Sequence, residues 1–246
     1  MIKATLYFDK PFDVVNVVND LTCLPEAIKP FYFTANEGRI PKANVLSDKT
    51  KFLDFYKNNS IGFLLYSENK KSSFDISIHN YGRADVTLWI PKYLSGELIV
   101  PLFKNLVKYN PVFGLACNID EYKHRNRHCF DIGINHMDYG MGEDLNKYIP
   151  GMYWYTLISD RLLMRHSVKL NDLLSETLVA EKLGDKSIHL LKFFEKPEDW
   201  QENSKRLDEL CYSVDGVFSR RIVDVAISEI SDINWKKYSE IMHNWQ

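Results

Sequence analysis

Apolar and polar positions alternate from Ile2 to Phe8, the period-two pattern of a strand with one buried face. Pro11 then suits the first turn of a helix, and Phe12, Val15, Val18 and Leu21 follow at near-helical spacing. Residues 31–34 fit a short strand. Ser47 reads as the N-cap of a helix reaching Tyr56, with Phe52, Phe55 and Tyr56 on one side. Residues 61–66, 74–79 and 84–90 are three strand-like runs. They are joined by Asn69-Lys70-Lys71-Ser72 and Asn80-Tyr81-Gly82-Arg83, turns short enough for an antiparallel meander. In the middle run Phe74, Ile76 and Ile78 face one way and Asp75, Ser77 and His79 the other, which predicts a sheet with one wet face.

The second half is less regular. A helix is expected over residues 95–109, with Leu98, Leu102 and Leu106 inward and Pro101 starting or kinking it. Residues 113–117 fit a short strand and 120–127 one or two helical turns. Gly133, Gly140, Gly142 and Gly151, closed by Pro150, predict that 131–151 is mostly loop. Trp154, Leu157, Ile158 and Leu162 then suggest a helix over 153–165. Strands are expected at 177–182 and 188–193, around Leu183-Gly184-Asp185-Lys186. Pro197 opens a helix with Glu198, Asp199 and Glu202 near its positive end and Trp200, Leu207, Leu210 and Cys211 inward. From Arg220 onward Ile222, Val223, Val225, Ile227 and Ile230 mix both periods, and helix and strand both remain open. No regular β-α alternation runs through the chain. The expected class is α+β, a mostly antiparallel sheet with helices packed on one face, in a single domain spanning 1–246.

Composition narrows the function. A formal net charge of −2 provides no basic field for a nucleic-acid backbone, so direct nucleic-acid binding is not expected. Four cysteines, at positions 23, 117, 129 and 211, have no close pairing and read as reduced thiols. No apolar run approaches a bilayer span and no secretory signal is evident, so a cytoplasmic protein without membrane contact is expected.

Catalytic signals are weak. His124 and His128, with Cys129, Asp131 and His136 following, are metal-ligating types. The intervening Arg-Asn-Arg lacks the glutamate of a zinc helix and repels a divalent ion, so a solvated polar turn with Cys129 and Phe130 inward is the better account. No metal or other cofactor is expected. Cys117 sits among apolar neighbours as an inert thiol. Ser159, Asp160 and His166 are triad ingredients without triad geometry. A hydrolase or transferase site assembled from His136, Asp138 and His166 is the enzymatic alternative. Asp138, Tyr139, Glu143 and Asp144 cluster in the expected loop. Tyr153 and Tyr155 cannot both point inward from one helix, which puts an aromatic side chain at the surface beside that loop.

Pro150-Gly151-Met152-Tyr153-Trp154, the segment ending at Arg165-His166, Glu195-Lys196-Pro197-Glu198-Asp199-Trp200 and Gly216-Val217-Phe218 resemble bacterial immunity proteins of polymorphic-toxin and type VI secretion loci, in particular immunity protein family 52. The resemblance covers most of the chain. It implies a non-enzymatic antitoxin that binds and neutralises a cognate protein toxin, typically a nuclease of the restriction-endonuclease kind. Such a toxin presents a basic cleft. Asp138, Tyr139, Glu143 and Asp144, with Tyr153 beside them, are the expected toxin-binding residues, carboxylates steering and aromatics anchoring.

Overall fold

The computed structural model describes residues 1–79, 82–132, 135–184, 187–231 and 234–246. Asn80, Tyr81, Gly133, Asp185 and Lys186, which belong to expected turns and loops, lie outside the described residues. The strands are β1 (Ile2–Phe8), β2 (Pro30–Thr34), β3 (Gly62–Ser67), β4 (Ser73–Ile78), β5 (Ala84–Ile90), β6 (Phe113–Asn118), β7 (Arg127–Ile132), β8 (Asn135–Gly140), β9 (Tyr155–Ser159), β10 (Val179–Leu183) and β11 (Ile188–Lys192). The α-helices are α1 (Val14–Leu21), α2 (Lys49–Asn58), α3 (Val100–Leu106), α4 (Ile119–Asn126), α5 (Asp160–Arg165), α6 (Leu170–Leu174), α7 (Trp200–Ser213), α8 (Arg220–Ser228) and α9 (Trp235–Trp245). Among the described residues nine strands form one sheet in the order β10-β11-β9-β6-β1-β5-β4-β3-β2, and β7 pairs with β8 in a two-stranded ribbon. The class is α+β with a large antiparallel sheet. Among the described residues no helix is long and apolar enough to cross a membrane.

Contacts divide the chain into two compact units. One comprises Met1–Ala116, Leu157–Ser159 and Lys182–Leu190, the other Cys117–Thr156, Asp160–Glu181 and Leu191–Gln246.

In the first unit the expected meander forms, β3, β4 and β5 pairing antiparallel in sequence and β5 pairing with β1. Register explains its core. Leu65, Phe74, Leu88 and Ala4 stand in one cross-strand row and Phe63, Ile76, Val86 and Leu6 in the next, and all eight are buried. The alternate positions carry the polar rows Asp75-Thr87-Thr5 and Ser77-Asp85-Tyr7, as alternation requires. Here Thr5 and Thr87 share a 2.9 Å hydroxyl contact and His79 meets Asp85 at 2.7 Å. Burial raises the pKa of both Asp75 and Asp85, opposed by Ser77 and His79 respectively.

Helix boundaries moved where capping chemistry outranked proline. α1 starts at Val14 because Asp13 accepts the Asn16 N–H, and it buries Val14, Val17, Val18 and Leu21 rather than a stripe through Val15. α2 is capped by Asp48, not Ser47, and sets Phe52 against Phe33 at 5.4 Å and Phe63 at 5.8 Å. Pro101 falls in the first turn of α3, where its missing N–H costs nothing.

The expected helix over 153–165 is a correction: β9 occupies Tyr155–Ser159 and only Asp160–Arg165 is helical. All five β9 residues are buried, and a strand covered on both faces reads as an unbroken apolar run that periodicity cannot separate from a buried helix.

In the second unit, Trp154 is 1% exposed, donates from Nε1 to the Glu195 carbonyl, and accepts at its own carbonyl from Phe193. Leu207, Leu210 and Cys211 of α7 are buried with it. Asp208 projects from α7 to the start of α8. Its Oδ1 accepts from Ser219 Oγ and the Arg220 N–H, and its Oδ2 from the Arg221 N–H. This capping anchors a segment whose sequence pattern left its type open.

Candidate protein-binding surface

The expected loop 131–151 begins instead as an ordered strand, a further correction. β7 and β8 pair antiparallel in the register His128↔Tyr139, Cys129↔Asp138, Phe130↔Met137 and Asp131↔His136. Facing residues share a side, so the ribbon has one face of His128, Phe130, Met137 and Tyr139 and another of Cys129, Asp131, His136 and Asp138.

The aromatic face packs on α9. Asn234 caps that helix by accepting the Lys237 N–H, which places Trp235 in its first turn and Tyr238 one turn on. Phe130 stacks on Tyr238 with ring centroids 3.6 Å apart and lies parallel to Tyr139 at 5.8 Å. Trp235 closes the group, 6.1 Å from Phe130 and 6.4 Å from Tyr139. The inner end joins the core of Met141, Phe218, Val223 and Met242. The outer end stays open, with Trp235 43% exposed against 8% for Tyr238.

The polar face is solvated. Cys129, Asp131, His136 and Asp138 are all exposed, and His136 Nδ1 lies 2.8 Å from Asp131 Oδ1. The Cys129 thiol is pushed up by partial burial and then by the charge and hydrogen bond of Asp138, which keeps it protonated. The expectation that Cys129 packs inward fails because strand alternation turns it away from Phe130.

The expected site residues separate. Asp138 and Tyr139, adjacent on β8, point to opposite faces. Glu143 is exposed and accepts at 2.8 Å from the Tyr122 hydroxyl. Half-buried Asp144 folds its own turn, accepting from the Asn146 N–H. Tyr153 is 0% exposed and lies in the interior instead of at the surface. Its hydroxyl donates to Asn126 Oδ1, and the Arg125 guanidinium stands 5.8 Å from its ring. Tyr155 is buried too, which the strand permits and a helix would not.

Beneath Tyr153 lies an ion pair, Glu121 Oε1 to Arg125 Nε at 3.2 Å, with both side chains nearly inaccessible. Burial pushes the Glu121 carboxyl up to about 7, against the pull of Arg125 and a hydrogen bond from the Trp154 backbone. The helical turns expected over 120–127 form, but with Glu121, Arg125 and Asn126 inside rather than solvated.

His124 ends up on α4 and His128 on β7, so the two do not share a helix face. Among the described residues no group of three or more His, Cys, Asp or Glu is placed to hold a metal. Of the alternative catalytic set, His136 pairs with Asp131 and His166 Nε2 meets the Leu145 carbonyl at 2.9 Å. Sequence reasoning places Phe130 only as an inward ring and His128 only as a ligand type, and it misses Trp235, Tyr238 and Arg220. The alternation of His128 and Phe130, then Met137 and Tyr139, was the available signal.

No protein-family model matches the chain, and no curated protein does. Among solved structures it is similar to the Pseudomonas aeruginosa T6SS protein PA0821. The TM-score is 0.50 at 12% identity, covering 85% of this chain and 76% of that one. At that identity the likeness speaks to the fold alone.

Proposed function

We propose that the chain is a T6SS-associated immunity protein that binds a cognate protein toxin and neutralises it, without turnover of its own. The observation that carries the reading is the outward end of the aromatic stack. Trp235 is 43% exposed over half-buried Phe130 and Tyr139, on a ribbon whose other face presents Asp131 and Asp138. Large exposed aromatics held rigid by a core are the residues that dominate protein interfaces. Carboxylates on the other face of the same ribbon steer a basic partner and add specificity. The fold likeness to a T6SS protein is compatible with this role.

A basic partner of the inferred kind is a cytoplasmic nuclease toxin of the restriction-endonuclease type, whose cleft has to attract a polyanion. Asp138 and Glu143 are the exposed acidic contacts, and Tyr139 and Trp235 the anchors. Tyr153 drops out because it is interior, and Asp144 is engaged in its own turn. Co-expression with the protein encoded by the neighbouring gene tests the role. Rescue of growth and co-purification are expected. Continued toxicity, with the two proteins purifying apart, rejects it.

A further inference from the structure

His128 sits where the β7–β8 ribbon, α8 and α9 meet. Arg220 Nη2 lies 2.7 Å from His128 Nδ1, and the Tyr238 hydroxyl lies 2.6 Å from His128 Nε2. A guanidinium only donates, so Nδ1 has to be the accepting nitrogen and Nε2 carries the proton given to Tyr238. The arrangement therefore specifies a neutral imidazole. Arg220 cannot easily turn away, because its Nη1 donates to the His124 and Arg127 carbonyls at 2.9 and 2.7 Å and its Nε to Asp224 at 3.0 Å.

We propose that His128 is a pH latch, holding the ribbon on α8 and α9 while neutral and releasing it when protonated. A proton on Nδ1 removes the only acceptor for Arg220 Nη2 in this contact and sets two cations face to face. The surrounding charges do not compensate. On α8, Asp224 is already paired with Arg220. On α9, Tyr238 offers a neutral hydroxyl. On α4, His124 is itself held low by burial, Arg125 and Arg220, against Asp208 and Asp224. On the ribbon itself, the neighbours on the His128 face are Phe130, Met137 and Tyr139, none of them charged.

The His128 pKa is depressed by burial first and Arg220 second, with Asp224 opposing. Because folding lowers it, the latch contributes fully above the unfolded value of about 6.5, and the contribution is lost as pH falls through the folded value. Release frees Phe130 from Tyr238. The inference rests on the reading of this ribbon as the toxin-facing surface, and it adds that acidification withdraws that surface.

Hydrogen exchange of the backbone amides in residues 127–131 and 136–140, with no toxin present, tests the latch apart from the function. Protection, corrected for intrinsic rates, is expected to fall roughly tenfold between about pH 7.5 and pH 5. His128→Gln keeps an acceptor for Arg220 and a donor for Tyr238 but has no proton to gain, so its protection is expected to change less than about twofold. Unchanged protection in the native protein, or an equal fall in both proteins, overturns the latch. As a second readout in the native protein, the His128 ring and the Tyr238 ring signals are expected to titrate with one shared midpoint below about 6.5. Separate midpoints overturn the latch as well. Loss of toxin binding by a Trp235 variant bears on the functional reading and leaves the latch untouched.

Discussion

Phe130 and Tyr238 stack with their ring centroids 3.6 Å apart, which ties a strand of the ribbon to a helix near the far end of the sequence. That contact sets the orientation of Tyr139 and Trp235, since both rings pack against Phe130. Phe130→Ala is expected to cost about 2 kcal/mol, less than a fully buried phenylalanine because the ring is half exposed. Urea unfolding measures it, and exchange of the β7 and β8 amides is expected to accelerate more than that of β3 and β4.

Trp235 separates binding from stability. Its exposed ring makes Trp235→Ala a surface change, expected to move unfolding by no more than about 0.5 kcal/mol. Affinity for the co-expressed protein of the neighbouring gene is expected to fall at least about tenfold, as loss of an interface anchor does. Titration calorimetry beside a thermal melt reads both.

Gly142 joins the ribbon to the core under α9. Its φ is +66°, and a Cβ there would stand 2.3 Å from the Phe218 ring, while its N–H donates to the Trp245 carbonyl. Backbone strain and overlap act together, so Gly142→Ala is expected to destabilise by about 3 kcal/mol. Phe218→Leu in the same chain is expected to recover part of that loss, since it removes the ring and not the strain. Chemical denaturation of the two variants checks both statements.

Glu121 gives a pH signature of its own. Its carboxyl rises from an ordinary 4.5 to about 7 on folding, so its contribution to stability is fully present below the unfolded value and is lost as pH rises through about 7. Glu121→Gln removes that dependence. The cost of the substitution is therefore expected to be greatest near pH 4.5 and smallest above pH 7, the span being on the order of 3 kcal/mol for a shift of this size. Denaturant midpoints of both proteins across this window measure it. A cost independent of pH would mean that Glu121 stays ionised beside Arg125.

The meander was legible because each of its strands has one wet face, so Phe74 and Ile76 alternate cleanly with Asp75 and Ser77. β9 was not, because Tyr155 to Ser159 is buried on both faces and leaves no period to read. The ribbon was missed for a different reason. Its glycines read as loop punctuation, although Gly140 simply ends β8, and its polar face of Cys129, Asp131, His136 and Asp138 masked the aromatic one. The candidate surface was half visible. Composition points to Asp138 and Tyr139, but Trp235 reaches Tyr139 only through tertiary packing, and Tyr153 is interior because its segment leads into a strand and not a helix.

The most direct test is the affinity of the purified chain for the protein encoded beside it, compared with an Asp138→Lys, Trp235→Ala double variant. Tight binding by the native protein and a loss of roughly a hundredfold or more in the folded variant are predicted, one anchor and one steering charge combined. A variant that binds and protects as well as the native chain would contradict the account.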